Sequence, residues 1–116
     1  MRLFESEMKI MELIWQKEPV SAKELSLTAQ EEIGWNKNTT YTVIKKLVEK
    51  GYVKRSEPDF ICTSLISREE VSISETKSLI NRLFGGSKKA LFSALLEDEE
   101  LTEEDLAELR EMIKKR

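Results

Sequence analysis

One segment constrains this chain more than any other, because it combines a helical apolar pattern with a polar, basic exterior. It runs from Trp35 to Val53, and Gly51 predicts where its helix stops. At about 100° per residue, the inner side of this helix carries Thr40, Val43, Ile44 and Leu47. Six residues lie outside or on its flanks: Asn38, Thr39, Tyr41, Thr42, Lys45 and Lys46. This layout is typical of a recognition helix that lies in a DNA groove and is followed by a β-hairpin wing.

A first helix precedes this segment. Apolar residues from Met8 to Trp15 recur with the spacing of a helix that has a wide buried face, and Ser6 is the expected N-cap. Pro19 stops that helix, and Val20 is expected to make a short extended contact.

A second helix is predicted to run to about Glu32. Ser21 and Glu24 are three residues apart, as in a capping box, and Gly34 ends the helix. Its apolar candidates are Ala22, Leu25, Leu27, Ala29 and Ile33. Asn36 is the expected N-cap of the third helix, the one described above.

Two strand-like runs follow, at 52–55 and 60–63, around a turn at 56–59 that contains Pro and Asp. Three helices and a hairpin predict a winged helix-turn-helix domain over residues 1–67. The predicted fold class is therefore mainly α, with a small β-hairpin wing followed by a helical C-terminal dimerisation region.

The remaining residues, 68–116, show three more helical patterns, interrupted at Gly85-Gly86 and restarted at Ser87 and Thr102. The pattern over 88–96 is apolar on nearly every side, so this helix needs more than one partner. These segments do not build a separate core alone, which predicts a homodimer through this domain. Its candidate dimerisation residues are Leu79, Leu83, Leu91, Leu95, Leu106 and Leu109.

Composition excludes several classes of function. The chain has no histidine and one cysteine, Cys62, so a His- or Cys-based metal site, an internal disulfide and His-based catalysis are all excluded within one chain. We therefore expect no catalytic residue, no metal and no cofactor, and Cys62 is expected to be an unreactive packing residue. The apolar runs are too short to span a membrane and the N-terminus is not a signal peptide, which predicts a cytoplasmic protein.

Charge is distributed unevenly, although the net charge is −3. Residues 36–55 hold six basic residues against one acid, and residues 97–108 hold eight acids and no base. The basic region favours contact with phosphate. Lys54 and Arg55 either touch the DNA backbone or solubilise an edge strand. The alternative function is a winged-helix module that binds protein and never touches DNA. The overall acidity of the chain argues slightly for this alternative.

Several blocks together resemble the penicillinase-repressor family, the BlaI/MecI/CopY-type regulators. They are Ser6-Glu7 to Trp15, Val20 to Glu24, Gly34-Trp35 to Val53, Leu83 to Ser87, and Leu101 to Leu109. The resemblance implies bacterial repressors that bind dyad-symmetric operators in double-stranded DNA as dimers, with half-sites about one helical turn apart or a multiple of it. By position, it assigns the recognition contacts to Asn38, Thr39, Thr42, Lys45 and Lys46.

Departures from the family pattern bear on regulation. The Asn-Phe bond at which the β-lactam branch is cleaved appears here as Ala94-Leu95, and no CxC motif for copper ends the chain. Thr40 stands where an aliphatic residue is usual, and the wing carries Glu57 and Asp59 where many relatives are basic or aromatic. Inactivation by a regulatory protease, by an inducer or by dilution all stay open.

Overall fold

The computed structural model describes residues 2–98 and 100–116, which form six helices and three strands. In chain order these are α1 (Glu5–Lys17), β1 (Val20–Ser21), α2 (Ala22–Glu32), α3 (Lys37–Glu49), β2 (Val53–Ser56), β3 (Ile61–Ser64), α4 (Arg68–Phe84), α5 (Lys88–Leu96) and α6 (Glu103–Lys114). The predicted order of three helices, a hairpin and further helices is confirmed. The chain divides into two compact units, an N-terminal unit that ends at Glu75 and a C-terminal unit, Thr76–Arg116.

The core of the N-terminal unit is built from α1, α2 and α3. Ile10, Met11 and Ile14 of α1 are fully buried, as are Leu25 of α2 and Ile44 of α3. Helical spacing places these side chains on one side of each helix, so burial of that side holds the three helices together. One apolar candidate of the second helix was wrong. Leu27 is 57% exposed, because it lies on the side of α2 opposite to Leu25 and Ala29.

The ends of α2 and α3 follow local sequence signals. Ser21 Oγ accepts a hydrogen bond from the Glu24 backbone N–H at 3.1 Å, and Asn36 Oδ1 accepts one from the Thr39 N–H at 2.9 Å. Gly34 has a φ of +84°, a left-handed conformation that favours glycine, and ends α2 as predicted. Both helices therefore begin at the predicted N-caps.

The start of α1 differs from the prediction. The helix begins at Glu5, with Phe4 rather than Ser6 at the N-cap position. The Phe4 N–H donates to Glu7 Oε1 at 2.8 Å, so a carboxylate within the first turn satisfies the free backbone donor. Ser6 was expected as the cap because hydroxyl side chains prefer that position, but it lies within the first turn of the helix instead.

The strands form one antiparallel sheet in the order β1-β3-β2. Val20 pairs with Cys62, so its predicted extended contact is confirmed as a third strand. In the hairpin, Val53 pairs with Ser64, which places both strands one residue later than expected. Phe60, expected to begin the second strand, instead ends the turn with a φ of +50°. We call residues 53–64 the wing.

The first two turns of α4 belong to the N-terminal unit. Arg68 Nη1 lies 2.6 Å from Glu12 Oε2 of α1, and Trp15 Nε1 donates to the Ile66 carbonyl at 3.0 Å. Val71 is buried in the same core. The compact unit thus ends inside α4, eight residues after the predicted boundary, whereas the functional division into 1–67 and 68–116 stays a prediction.

The last two helices, α5 and α6, are capped but little buried. Ser87 Oγ accepts from the Ala90 N–H at 3.0 Å, and Thr102 and Asp105 exchange the two hydrogen bonds of a capping box. Within the described residues, neither α5 nor α6 has a buried side chain. Local sequence therefore defines these helices, and several of their large apolar residues are exposed.

One ion pair enters the core of the N-terminal unit. Glu7 is 1% exposed, and its Oε1 lies 2.8 Å from Nζ of Lys50, the residue after α3. Lys50 Nζ also lies 4.7 Å from the centre of the Phe4 ring. Glu7 Oε2 is buried and has no hydrogen-bond partner among the described residues. A buried carboxylate without its cation costs folding free energy. This pair therefore stabilises the contact between the end of α3 and the start of α1.

Replacing Lys50 by Met tests the contribution of this ion pair to stability. The variant keeps the aliphatic stem but leaves the Glu7 carboxylate without its cation, so we expect the free energy of unfolding to fall by about 1–3 kcal/mol. Urea unfolding at a fixed protein concentration measures the change. Lys23→Met, at an exposed position of α2, is the matched control and should change it by less than about 0.5 kcal/mol. Equal effects of the two substitutions would contradict a stabilising role for the pair.

Candidate functional site

The two sides of α3 differ sharply in burial. Thr40, Val43, Ile44 and Leu47 are buried, so the predicted inner side is confirmed. Their burial turns a set of polar residues to solvent, which we call the outer face: Asn38, Thr39, Thr42, Lys45 and Lys46, all of which are exposed. The core thus positions the outer face without using any of its side chains.

Threonine hydroxyl groups on both sides of α3 donate hydrogen bonds to backbone carbonyls four residues earlier. Thr42 Oγ1 donates to the Asn38 carbonyl at 2.8 Å, and Thr40 Oγ1 donates weakly to the Asn36 carbonyl at 3.4 Å. With its hydrogen committed, the Thr42 side chain offers to solvent a methyl group and an oxygen that can still accept. Thr40, which stands where an aliphatic residue is usual in the family pattern, is accommodated in the core by the same kind of bond.

Tyr41 lies on the flank of α3 that faces the wing. Its ring meets the Phe60 ring edge to face, with centroids 6.0 Å apart, and Lys37 Nζ lies 5.7 Å from the Tyr41 centroid. Tyr41 is half-buried, unlike the exposed residues of the outer face. It therefore joins the wing to α3, and its predicted part in DNA binding stays a prediction.

Lys54 and Arg55 occupy different environments in β2, although they are adjacent in sequence. Lys54 is exposed. The Arg55 guanidinium lies 3.7 Å from the centre of the Phe60 ring, and its Nε is in direct contact with Glu57 Oε1. Arg55 and Lys45 line the same small cleft of about 190 Å³ between α3 and the wing. The structure thus brings Arg55 beside the outer face, but with its charge already paired.

This pairing revises the charge count of the basic segment. Of its six cations, Lys50 is paired with Glu7 and Arg55 with Glu57. Within residues 2–98 and 100–116, the other four form no ion pair: Lys37, Lys45, Lys46 and Lys54. Sequence reasoning missed both pairs. Glu7 is 43 residues from Lys50. Glu57 is two residues from Arg55, a spacing that places both side chains on one side of a strand, but β2 ends between them at Ser56.

The six candidate dimerisation leucines all lie on helices of the C-terminal unit. Leu83 and Leu95 are exposed, and Leu79, Leu91, Leu106 and Leu109 are partly buried. Leu106 and Leu109 line an apolar cleft of about 540 Å³ between α5 and α6, together with Phe92, Leu96, Met112 and Ile113. The clustering of these side chains leaves a continuous apolar surface on this unit.

Other kinds of site find no support in the described part of the chain. Residues 2–98 and 100–116 contain no group of three or more His, Cys, Asp or Glu side chains that could hold a metal ion. Over the same residues, no helix combines the length and apolar character needed to cross a bilayer.

The N-terminal unit is a winged helix, with α3 in the position of the recognition helix and the β2–β3 hairpin as the wing. Its fold matches the solution structure of the DNA-binding domain of the repressor BlaI, with a TM-score of 0.56, 20% sequence identity, and coverage of 60% of this chain and 87% of that chain. The predicted fold class is confirmed.

Sequence comparison then identifies the family. Residues 3–115 match the penicillinase repressor family, to which this chain therefore belongs. It is 31% identical over 110 residues to a penicillinase repressor of Staphylococcus aureus, covering 93% of this chain and 87% of that protein. It is 27% identical over 113 residues to the methicillin resistance regulatory protein MecI of Mammaliicoccus sciuri, covering 96% and 92%. The resemblance inferred from the sequence is confirmed.

Cys62 of β3 is buried within the wing and lies opposite Arg55 in the sheet. Burial raises the pKa of its thiol and the Arg55 guanidinium lowers it by a smaller amount, so that together they move the pKa from 9.0 to about 11. The thiol is therefore neutral at ordinary pH and neither nucleophilic nor a ready metal ligand.

We expect thiol reagents to label folded Cys62 far more slowly than urea-unfolded protein at pH 8. The raised pKa alone lowers the thiolate fraction about a hundredfold, and burial blocks access further. Because the folded thiol keeps its proton where the unfolded thiol loses it, folding stability should fall as pH rises from 9.0 to about 11. Stopped-flow labelling and urea unfolding against pH measure both effects, and equal labelling rates in the two states would contradict this environment.

Proposed function

We propose that this chain is a dimeric, sequence-specific DNA-binding transcriptional repressor that acts on a dyad-symmetric operator in the bacterial cytoplasm. The observation that carries the proposal is the burial of one side of α3, which turns an outer face of amide, hydroxyl and ammonium groups to solvent. Two relatives matched over nearly their whole length support it, one named a penicillinase repressor and the other a methicillin resistance regulatory protein. Relatives of this kind are regulators rather than enzymes, and no catalytic role is proposed.

Phosphate contacts supply most of the proposed affinity. Lys45 and Lys46 project from the outer face without a carboxylate partner among the described residues, so DNA phosphate can take that place. Each lysine that neutralises a phosphate releases condensed counterions, which makes binding stronger at low salt. Lys54 adds a third exposed cation from the wing.

Sequence preference is proposed to come from the first half of the outer face. The amide of Asn38 can make paired hydrogen bonds with adenine in the major groove, and the hydroxyl of Thr39 can bond to a base edge. Thr42 presents an acceptor oxygen and a methyl group, because its own hydrogen bonds to the Asn38 carbonyl. Such a side chain suits a base-edge donor or the methyl group of thymine.

The double substitution Lys45→Ala and Lys46→Ala tests the role of the outer face. If each lysine neutralises one phosphate, the slope of log affinity against log salt should become shallower by about 1.8 for each subunit bound. Fluorescence anisotropy with a duplex from the chain's own promoter region measures the slope at several salt concentrations. Lys9→Ala and Lys23→Ala, at exposed positions on α1 and α2, form the control pair. An unchanged slope in the outer-face variant would rule out this mode of binding.

A second copy of the chain is the proposed cover for the apolar surface of the C-terminal unit. Phe92, Leu95, Leu96, Met112 and Ile113 are large apolar residues of α5 and α6 that are about half exposed or more. An exposed apolar surface of this kind marks an interaction site. A symmetric pair would bury it twice, once from each subunit, and would present two copies of α3 to half-sites one helical turn apart or a multiple of it.

Leu95→Asp tests the dimer without disturbing the fold of one subunit, because the Leu95 side chain is 47% exposed. A carboxylate within the buried interface is costly, so sedimentation should show monomers and operator affinity should fall at least tenfold. Ser93→Asp places the same charge at an exposed polar position of α5 and should leave the dimer intact. An intact Leu95→Asp dimer would contradict this interface.

Regulation is proposed to involve an inducer or a regulatory protease. The Ala94–Leu95 bond lies within α5, where helical backbone does not fit the extended conformation that proteases need. Cleavage there would therefore require local opening of the last turn of α5.

A further inference from the structure

The wing contains an ion pair beside α3. This position makes the pair relevant to DNA binding. Arg55 Nε contacts Glu57 Oε1 directly, and the two side chains are 41% and 58% exposed. An ion pair this exposed is weak, because water screens both charges. The pair can therefore be exchanged for another partner at small cost.

Aromatic packing fixes where the Arg55 charge lies. The guanidinium rests 3.7 Å from the centre of the Phe60 ring, and Phe60 packs edge to face against Tyr41 of α3. Arg55 and Phe60 also line the cleft to which Lys45 contributes. Packing thus keeps the guanidinium beside the outer face of α3 even when Glu57 is absent, because stacking on Phe60 does not depend on that carboxylate.

We propose that Glu57 competes with DNA phosphate for Arg55, and so lowers the affinity of this chain for DNA. The inference rests on the proposed function. The Glu57 carboxylate neutralises Arg55 in the free protein and repels a phosphate that approaches the same guanidinium. Removing that charge leaves Arg55 positioned on Phe60 and available to one additional phosphate.

Asp59 provides a matched control in the same turn. It is also exposed, and within the described residues it forms no ion pair. Asp59→Asn therefore removes one negative charge from the wing without releasing Arg55. The difference between Glu57→Gln and Asp59→Asn separates release of Arg55 from the general effect of charge.

The size of the effect follows from counterion release. One additional phosphate contact should steepen the slope of log affinity against log salt by about 0.9 for each subunit bound. At about 0.15 M monovalent salt this corresponds to about fivefold tighter binding for each subunit, and at about 0.05 M to about fifteenfold. Asp59→Asn should give a smaller gain and a slope closer to that of the unaltered chain.

The experiment measures anisotropy of a short, labelled, mixed-sequence duplex, because phosphate contacts do not depend on sequence. The unaltered chain is compared with Glu57→Gln, Glu57→Ala and Asp59→Asn across a series of salt concentrations. The same Glu57→Gln change is then made in an Arg55→Ala background. We expect both Glu57 variants to bind more tightly than Asp59→Asn, and the gain from Glu57→Gln to disappear without Arg55. Thermal unfolding verifies that each variant is folded.

Two results would overturn the inference. A gain from Glu57→Gln no larger than that from Asp59→Asn, or a gain that persists in the Arg55→Ala background, would show that Glu57 acts only through general charge. In both cases the unaltered chain still binds DNA, so the proposed function stands. If neither the unaltered chain nor any variant binds the duplex at the lowest salt, the proposed function and this inference both fail.

Discussion

Burial of the inner side of α3 is the interaction on which the rest of this structure depends. Val43, Ile44 and Leu47 pack into a core shared with α1 and α2, so α3 cannot rotate about its axis without exposing apolar surface. The orientation of the outer face is therefore set by the free energy of the core. The Glu7–Lys50 pair adds a second attachment at the C-terminal end of the same helix. Neither attachment uses a residue of the outer face, so that face can vary without cost to the fold.

The basic residues of segment 36–55 differ in whether a carboxylate is paired with them, and this matters more than their number. Lys50 serves the core through Glu7, whereas Lys45 and Lys46 form no ion pair with any residue that the structure describes. Arg55 is intermediate, because its partner Glu57 is more exposed than Arg55 itself and can be displaced. A count of basic residues treats these four alike. Their partners distinguish them: Lys50 stabilises the fold, and Lys45 and Lys46 are available to a ligand. Arg55 becomes available only when Glu57 is displaced.

The two units depend on tertiary packing to different degrees. The N-terminal unit has a continuous buried core, whereas α5 and α6 have local caps and, among the described residues, no buried side chain. Caps and helical spacing suffice to define where these helices begin and end, but isolated short helices are marginal in water. A second copy that covers Leu95 and its neighbours would supply the missing burial. On the proposed function, stability of this unit and operator binding are then linked to protein concentration.

The sequence by itself determined the helices, their N-caps at Ser21 and Asn36, the stop at Gly34 and the division of α3 into two sides, because each follows from spacing or backbone hydrogen bonding within a few residues. Predictions from the sequence were wrong about the N-cap of α1, placed both strands one residue too early and assigned Leu27 to the buried side of α2. Only the tertiary structure decided which cations are paired, since the partners of Lys50 and Arg55 depend on long-range packing and on the path of a turn. Local spacing carries no information about the Glu7–Lys50 contact, because these residues are 43 apart in sequence.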